Sequence, residues 1–203
     1  MKEHIEKHIR DNYRTYIFFI IIFIVGLIIG IISVNNMNIE NKEKMNNYLI
    51  SFTSNLKDNV NINYGLLLVN SLKKNMQFIL ILVVLSFSIW RKISNSLLVG
   101  YKGFVLGYSI SSTISIFGIG KGLAFNMSLL MLSELIFIPT VFFTAVYCMN
   151  SYNKIISKDY SNKTTDLIRN IIVFIIILFT IVASSFIKTY LSSNLFVLIR
   201  NYF

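Results

Sequence analysis

Long apolar runs alternate with shorter polar segments along the whole chain, and this pattern is typical of a membrane protein. Five runs are almost wholly apolar, and they lie at 17–34, 76–90, 97–117, 123–149 and 171–187. A helix that crosses a bilayer needs about 20 such residues. The shortest run, 76–90, can gain length from the helical pattern that precedes it. We therefore predict an all-α, polytopic membrane protein with about five transmembrane helices.

The polar segments between the runs contribute at most short helices at the membrane surface. The longest, 35–75, is rich in asparagine, and Tyr48, Leu49, Phe52 and Leu56 recur in it at helical spacing. That spacing predicts an amphipathic helix lying on the membrane face. With 150–169 as an inner loop and 188–203 as an outer C-terminal segment, we assign residues 1–203 to a single membrane domain.

Composition agrees with this pattern and excludes several classes of protein. Of the 203 residues, 55% are hydrophobic and only 14% are charged, against about 25% charged in ordinary soluble domains. The net charge of +10 would suggest nucleic-acid binding in a soluble protein. Here the basic residues flank apolar runs, as they do in membrane proteins, so we predict no nucleic-acid partner.

The distribution of Lys and Arg favours a cytoplasmic N-terminus and an outer C-terminus. With this orientation the inner segments hold ten basic residues and the outer segments hold eight, although the inner ones are shorter in total. Loops on the cytoplasmic side carry an excess of Lys and Arg. The segments counted are 1–15, 91–95 and 150–169 on the inner side and 35–75, 118–122 and 188–203 on the outer side.

The third and fourth runs contain charged residues inside apolar sequence. Lys102 lies in the third run, and Glu134 lies in the fourth, five residues before Pro139. Each charge costs about 3 kcal/mol at the centre of a membrane helix, so such residues are candidates for function. Counted from the ends of the runs, the two Cα atoms differ in depth by about 10 Å. This favours a Lys102 that reaches the headgroups and a Glu134 that is protonated or bonded to a polar neighbour.

Small residues form a stripe on the third run and a pair on the first. Gly100, Gly103 and Gly107 occupy one face of a helix, and Gly26 and Gly30 form a G-x-x-x-G motif. Both patterns let helix backbones approach closely. We expect the stripe to pack the third run on the fourth, although a partner protein could also use it. For Gly26 and Gly30 we favour packing within the chain over a dimer interface.

The chain lacks the sequence signatures of the common hydrolases and nucleotide-binding enzymes. It has no H-E-x-x-H, no G-x-S-x-G, no phosphate-binding loop and no cluster of Cys and His. His4 and His8 are spaced by four residues without a third ligand nearby, which favours a solvated helix end over a metal site. We therefore predict no enzyme activity, no metal and no cofactor. A small ion or solute carrier that uses Glu134 and Lys102 stays open as an alternative to a scaffold.

Two stretches and the order of the segments resemble the stage II sporulation protein M family. The third run, with Gly100, Lys102, Gly103 and Gly107, is similar to that family's basic, glycine-containing third helix. The fourth run, from 132 to Pro139, is similar to its fourth helix, in which a proline follows polar residues. Many relatives have a proline and an amide near 132–134, where this chain has Leu-Ser-Glu.

The resemblance implies a role in forespore engulfment in endospore-forming bacteria. Members of the family anchor two cell-wall hydrolases, sporulation proteins D and P, at the division septum. The expected function is thus that of a non-catalytic scaffold in the cell membrane, on the mother-cell side of the septum. The candidate structural or interaction residues are those of the two similar stretches, namely Gly100, Lys102, Gly103, Gly107, Glu134 and Pro139.

Overall fold

The fold is a bundle of helices, seen in a computed structural model that describes residues 2–58, 63–157 and 163–195. The α-helices in these residues are α1 Lys2–Asp11, α2 Tyr13–Asn35, α3 Ile39–Asp58, α4 Tyr64–Ser86, α5 Arg91–Asn126, α6 Leu132–Ser157 and α7 Lys163–Phe186. Wider π-helical turns follow α5 and α7, at Met127–Met131 and Ile187–Ser192.

Within the described residues, five helical stretches are long and apolar enough to cross a membrane. They are Tyr13–Asn35, Tyr64–Ser86, Arg91–Leu129, Leu132–Tyr152 and Asn170–Leu195. The prediction of an all-α protein with five such helices is confirmed, whereas its orientation in the membrane stays a prediction. Parts of three predicted polar segments, at 59–62, 158–162 and 196–203, lie outside the described residues.

The second span begins twelve residues before its apolar run, because a polar side chain starts the helix there. The side chain of Asn63 accepts a hydrogen bond from the Leu66 amide, at 3.1 Å. Such an N-cap satisfies one of the amides that a helix start leaves without a partner. The added turns of α4 bring Ser71 and Asn75, both buried, into the bundle.

Helices α2 and α5 run parallel and make the closest helix–helix contact in the described structure. A Cβ on Gly26 would overlap the Gly100 carbonyl oxygen, and one on Gly30 would overlap that of Phe104. Conversely, a Cβ on Gly103 or Gly107 would overlap carbonyl oxygens of α2. The expected packing of Gly26 and Gly30 within the chain is therefore seen.

The glycine stripe of α5 contacts α2 instead of the expected fourth span. Gly103 lies on Phe23, Gly107 lies on Leu27, and both of these residues belong to α2. The expectation that the stripe packs the third span on the fourth is wrong. The reason is that α2 also has two glycines on the facing side. Because neither helix has side chains at these positions, the two backbones can approach closely.

Helix α5 is interrupted at Gly118, where the chain reverses direction. The stretch Arg91–Leu129 therefore holds the third span and the start of the fourth, and these two spans form a tight antiparallel hairpin. Gly118 has φ 79° and ψ 170°, a conformation open only to glycine. Gly122 then lies on Ile114, with a Cβ position 2.7 Å from the Ile114 Cα. In a straight helix these residues would be about 12 Å apart. The buried Asn126 amide closes the turn by donating to the Thr113 hydroxyl and, at 3.0 Å, to the Gly122 carbonyl.

We expect Gly118→Ala to destabilise the hairpin by about 1–3 kcal/mol, because alanine disfavours this backbone conformation. No heavy atom outside the immediate chain lies within 4 Å of a Cβ at Gly118, so the cost comes from the backbone alone. Gly120→Ala is the matched control, since its Cβ also enters open space but its φ is not positive. Unfolding in detergent with equal midpoints for the two variants would contradict this reading of the turn.

The core of the bundle is formed by side chains from the spans that surround α6. Phe19, Leu82, Val99, Phe137 and Ile177 are each almost fully buried in one cluster, and they come from α2, α4, α5, α6 and α7. Every span therefore contributes to a single core.

The N-terminal helix α1 packs against the bundle through His8. The ring of His8 lies 5.7 Å from that of Phe143 and 5.5 Å from that of Tyr147, measured between centroids. The side chain is half-buried. The expectation of a solvated helix end is therefore wrong for this residue, because aromatic side chains of α6 cover it.

Candidate functional site

The hairpin brings Lys102 and Glu134 together inside the bundle. Lys102 Nζ donates to Glu134 Oε1 at 2.8 Å, and the two side chains are only 16% and 11% exposed. The expectation that Lys102 reaches the headgroups while Glu134 lies deeper is therefore wrong. Both residues are sixteen positions from Gly118, one before and one after. In an antiparallel hairpin that reverses at Gly118, this equal count places them at the same depth.

A π-helical turn lies between the reversal and Glu134. This turn, Met127–Met131, holds more residues than an α-helical turn, so it shifts the direction of the side chains that follow it. Glu134 lies in the first turn of α6, three residues after it. The turn is thus one of the features that sets the direction of the carboxylate in α6.

Two aromatic rings cover the ammonium group of Lys102. Its Nζ lies 4.8 Å from the ring centroid of Phe137 and 5.7 Å from that of Phe78. The face of an aromatic ring attracts a cation, and the attraction grows when water is excluded. Lys102 is therefore held by a carboxylate and two rings, which offsets the cost of placing an ammonium within a membrane span.

A second lysine lies near this pair. Lys188 is half-buried on the turn Ile187–Ser192, and the charges of Glu134, Lys102 and Lys74 act on it. Glu134 attracts it, whereas the two lysines repel it. The buried atom Glu134 Oε2 has no hydrogen-bond partner among the described residues. Lys102, Glu134 and Lys188 form a cluster in which, among the described residues, an ion pair joins only Lys102 and Glu134.

Hydrogen bonds between neighbouring helices support the cluster. Asn75 of α4 donates to the Ser185 hydroxyl at 3.1 Å, and Ser184 donates to the Ser133 carbonyl of α6 at 3.1 Å. All four residues are buried. Polar side chains in membrane bundles join helices in this way. The contacts fix α7 against α4 and α6 beside the ion pair.

Lys188 is a member of the site that the sequence analysis missed. The fifth apolar run ends one residue before Lys188, so the sequence predicts this lysine in the outer segment 188–203. In the structure the helix continues, and the fifth candidate span extends to Leu195. The available signal was helical spacing, because Ser184, Lys188 and Ser192 recur every fourth residue and form one polar face.

The six residues singled out in the sequence occupy three different places. Lys102 and Glu134 form the ion pair, whereas Gly100, Gly103 and Gly107 face α2 on another side of α5. Pro139 lies inside α6 on its exposed face, where its ring leaves the Leu135 carbonyl without a helical amide partner. The polar cluster and the glycine contact are therefore separate features.

Comparison with known proteins identifies the family of the chain. The sequence profile of SpoIIM, stage II sporulation protein M, matches residues 19–193, which include all five candidate spans except the first six residues of Tyr13–Asn35 and the last two of Asn170–Leu195. Comparisons with curated proteins and with solved structures gave no match. The matched family is not a known enzyme family. The chain therefore belongs to the stage II sporulation protein M family and is a sporulation-related membrane protein.

Proposed function

We propose that this chain is a non-catalytic membrane scaffold that positions peptidoglycan hydrolases at the septum during forespore engulfment. The observation that carries the proposal is the family match over residues 19–193. The hydrolases would be sporulation proteins D and P, which cut the wall so that the mother-cell membrane can move around the forespore. The scaffold would lie in the mother-cell membrane, with its N-terminus inside and its C-terminus outside.

Helix α3 is the surface on which such partners would bind. It follows the first span, and its Met45 contacts the Tyr108 hydroxyl at 4.0 Å, which links it to α5. Its side chains Ile39, Tyr48 and Ile50 are 79%, 67% and 49% exposed. In the proposal, a partner protein would contact these exposed apolar side chains on an otherwise polar helix. In the proposed orientation this helix faces the cell wall, where hydrolases act.

The experiment that tests the proposal is performed in sporulating cells of the native host. Deletion of the gene should arrest cells at a flat or bulging septum, seen with a membrane dye, and the intact gene should restore engulfment. We expect Tyr48→Asp to be present in the membrane at the normal level and yet to reduce rescue several-fold. Asn47→Asp adds the same charge to a neighbouring exposed position and should rescue fully. Normal engulfment in the deletion strain would contradict the proposal.

The ion pair favours a second function, a small ion or solute carrier. Ionisable residues inside a membrane often mark a transport path, and Lys102 and Glu134 form an ion pair inside the bundle. A carrier predicts flux in proteoliposomes that Glu134→Gln abolishes. A scaffold predicts no flux, and it predicts that a folded Glu134→Gln variant still recruits hydrolases.

A further inference from the structure

A groove runs along the outer surface of the contact between α2 and α5. It encloses about 670 Å³, and almost all of its lining is apolar. Gly26 and Gly100 line its floor, where the backbones of α2 and α5 are in contact. Val25, Leu97 and Tyr101, which also line it, are 49%, 71% and 59% exposed. The groove therefore opens away from the bundle, toward the surrounding lipid.

One end of the groove carries a positive charge, and the rest carries none. Lys92 lines this end, with its Nζ 4.9 Å from the ring centroid of Phe18, another lining residue. Lys92 forms no ion pair with any residue that the structure describes. The hydroxyl of Ser96 donates to the Lys92 carbonyl at 2.6 Å, so this polar group is satisfied within its own helix. The groove thus offers a cation at one end and apolar surface beyond it.

The position and length of the groove match one leaflet of a bilayer. Trp90, two residues before Lys92, is 67% exposed, and tryptophan is enriched at the interface between membrane and water. From Lys92 to Phe104 the groove follows twelve residues of α5, or about 18 Å. Half of a hydrocarbon core is about 15 Å. An acyl chain that enters beside Lys92 would therefore extend along the groove to about the middle of the membrane.

We propose that this groove is a binding site for an anionic phospholipid, with the phosphate at Lys92 and an acyl chain over Gly26 and Gly100. Basic residues beside a gap between membrane helices are the feature by which membrane proteins select anionic headgroups. The apolar floor supplies the contact for the chain. The site would work in either orientation of the protein, because it needs only Lys92 at one membrane surface.

The chain contains its own reporter for this site. Trp90 is the only tryptophan of the protein, so its fluorescence in vesicles reports the lipids that surround Lys92. We would reconstitute the protein in phosphatidylcholine with equal mole fractions of either brominated phosphatidylglycerol or brominated phosphatidylcholine, because bromine quenches tryptophan at short range. The anionic lipid is expected to quench with an apparent affinity about fivefold higher.

Two variants separate the groove from general attraction to a basic protein. Lys92→Gln should remove the preference for phosphatidylglycerol, and Ser96→Phe should reduce it by filling the groove without changing charge. The matched controls are Lys73→Gln and Leu80→Phe, which alter exposed positions on α4 and should leave the preference intact. Equal quenching by both lipids in the unaltered protein would overturn the proposal, as would a preference that survives both groove variants. Quenching that appears only when the protein is diluted in lipid would show instead that a second copy fills the groove.

Discussion

Glu134→Gln is expected to lower the free energy of unfolding by about 3 kcal/mol, because it leaves Lys102 buried without its carboxylate. Lys102→Met should cost less. After that change Glu134 can still act on Lys188, and a repulsion between two lysines is lost. The cluster therefore predicts that Glu134→Gln lowers the free energy of unfolding more than Lys102→Met does. An isolated ion pair of Lys102 and Glu134 would predict similar losses for both.

The measurement is equilibrium unfolding of the purified variants in mixed detergent micelles. The double variant Lys102→Met with Glu134→Gln should be more stable than Glu134→Gln alone, because the unpaired ammonium of residue 102 is gone. Glu40→Gln is the matched control, since it breaks the exposed pair of Lys44 and Glu40, and such pairs contribute about 0.5 kcal/mol or less. A loss for Glu134→Gln no larger than for this control would contradict the role of the cluster.

Gly26→Ala and Gly107→Ala are each expected to weaken the bundle strongly, by about 3 kcal/mol or more, since overpacking of a tight contact costs about 1–3 kcal/mol and occasionally more. The added Cβ of each would overlap a backbone carbonyl oxygen of the facing helix. A backbone atom cannot rotate away as a flexible side chain can. The two helices would have to separate, and the contact that joins the first span to the third would be lost.

Thermal unfolding and membrane yield provide the test for these glycines. Gly120→Ala and Gly65→Ala are controls, because a Cβ at Gly120 meets no heavy atom within 4 Å and one at Gly65 meets only the Asn63 side chain, at 3.5 Å. Both controls should unfold close to the unaltered protein. If Gly26→Ala and Gly107→Ala also did so, the close contact between α2 and α5 would be refuted.

The spans were predictable from the sequence, because long apolar runs are a direct consequence of the lipid environment. Which spans pack against each other was not predictable. Gly100, Gly103 and Gly107 indicate a close helix contact, but any helix with a matching gap could supply it. Because the third and fourth spans form a hairpin, the sequence favours the fourth span as the neighbour of this stripe. In the structure, Gly26 and Gly30 of the first span take that place.

The candidate site was only half predictable for a related reason. Lys102 and Glu134 were recognisable as unusual, yet their depths were counted from the ends of apolar runs instead of from the reversal at Gly118. Lys188 was assigned to a surface segment because the apolar run ends before it. Charged residues that pair with other residues inside a bundle can lie within a span. The end of the apolar run then comes before the end of the span.

The proposed role in positioning wall hydrolases at the septum is tested most directly by locating those enzymes in cells that lack the chain. Fluorescent fusions of sporulation proteins D and P should lose their concentration at the septum in the deletion strain and spread over the cell membrane. The intact gene should restore their position, and the Tyr48→Asp variant should not. Hydrolases that stay concentrated at the septum without this chain would contradict the account.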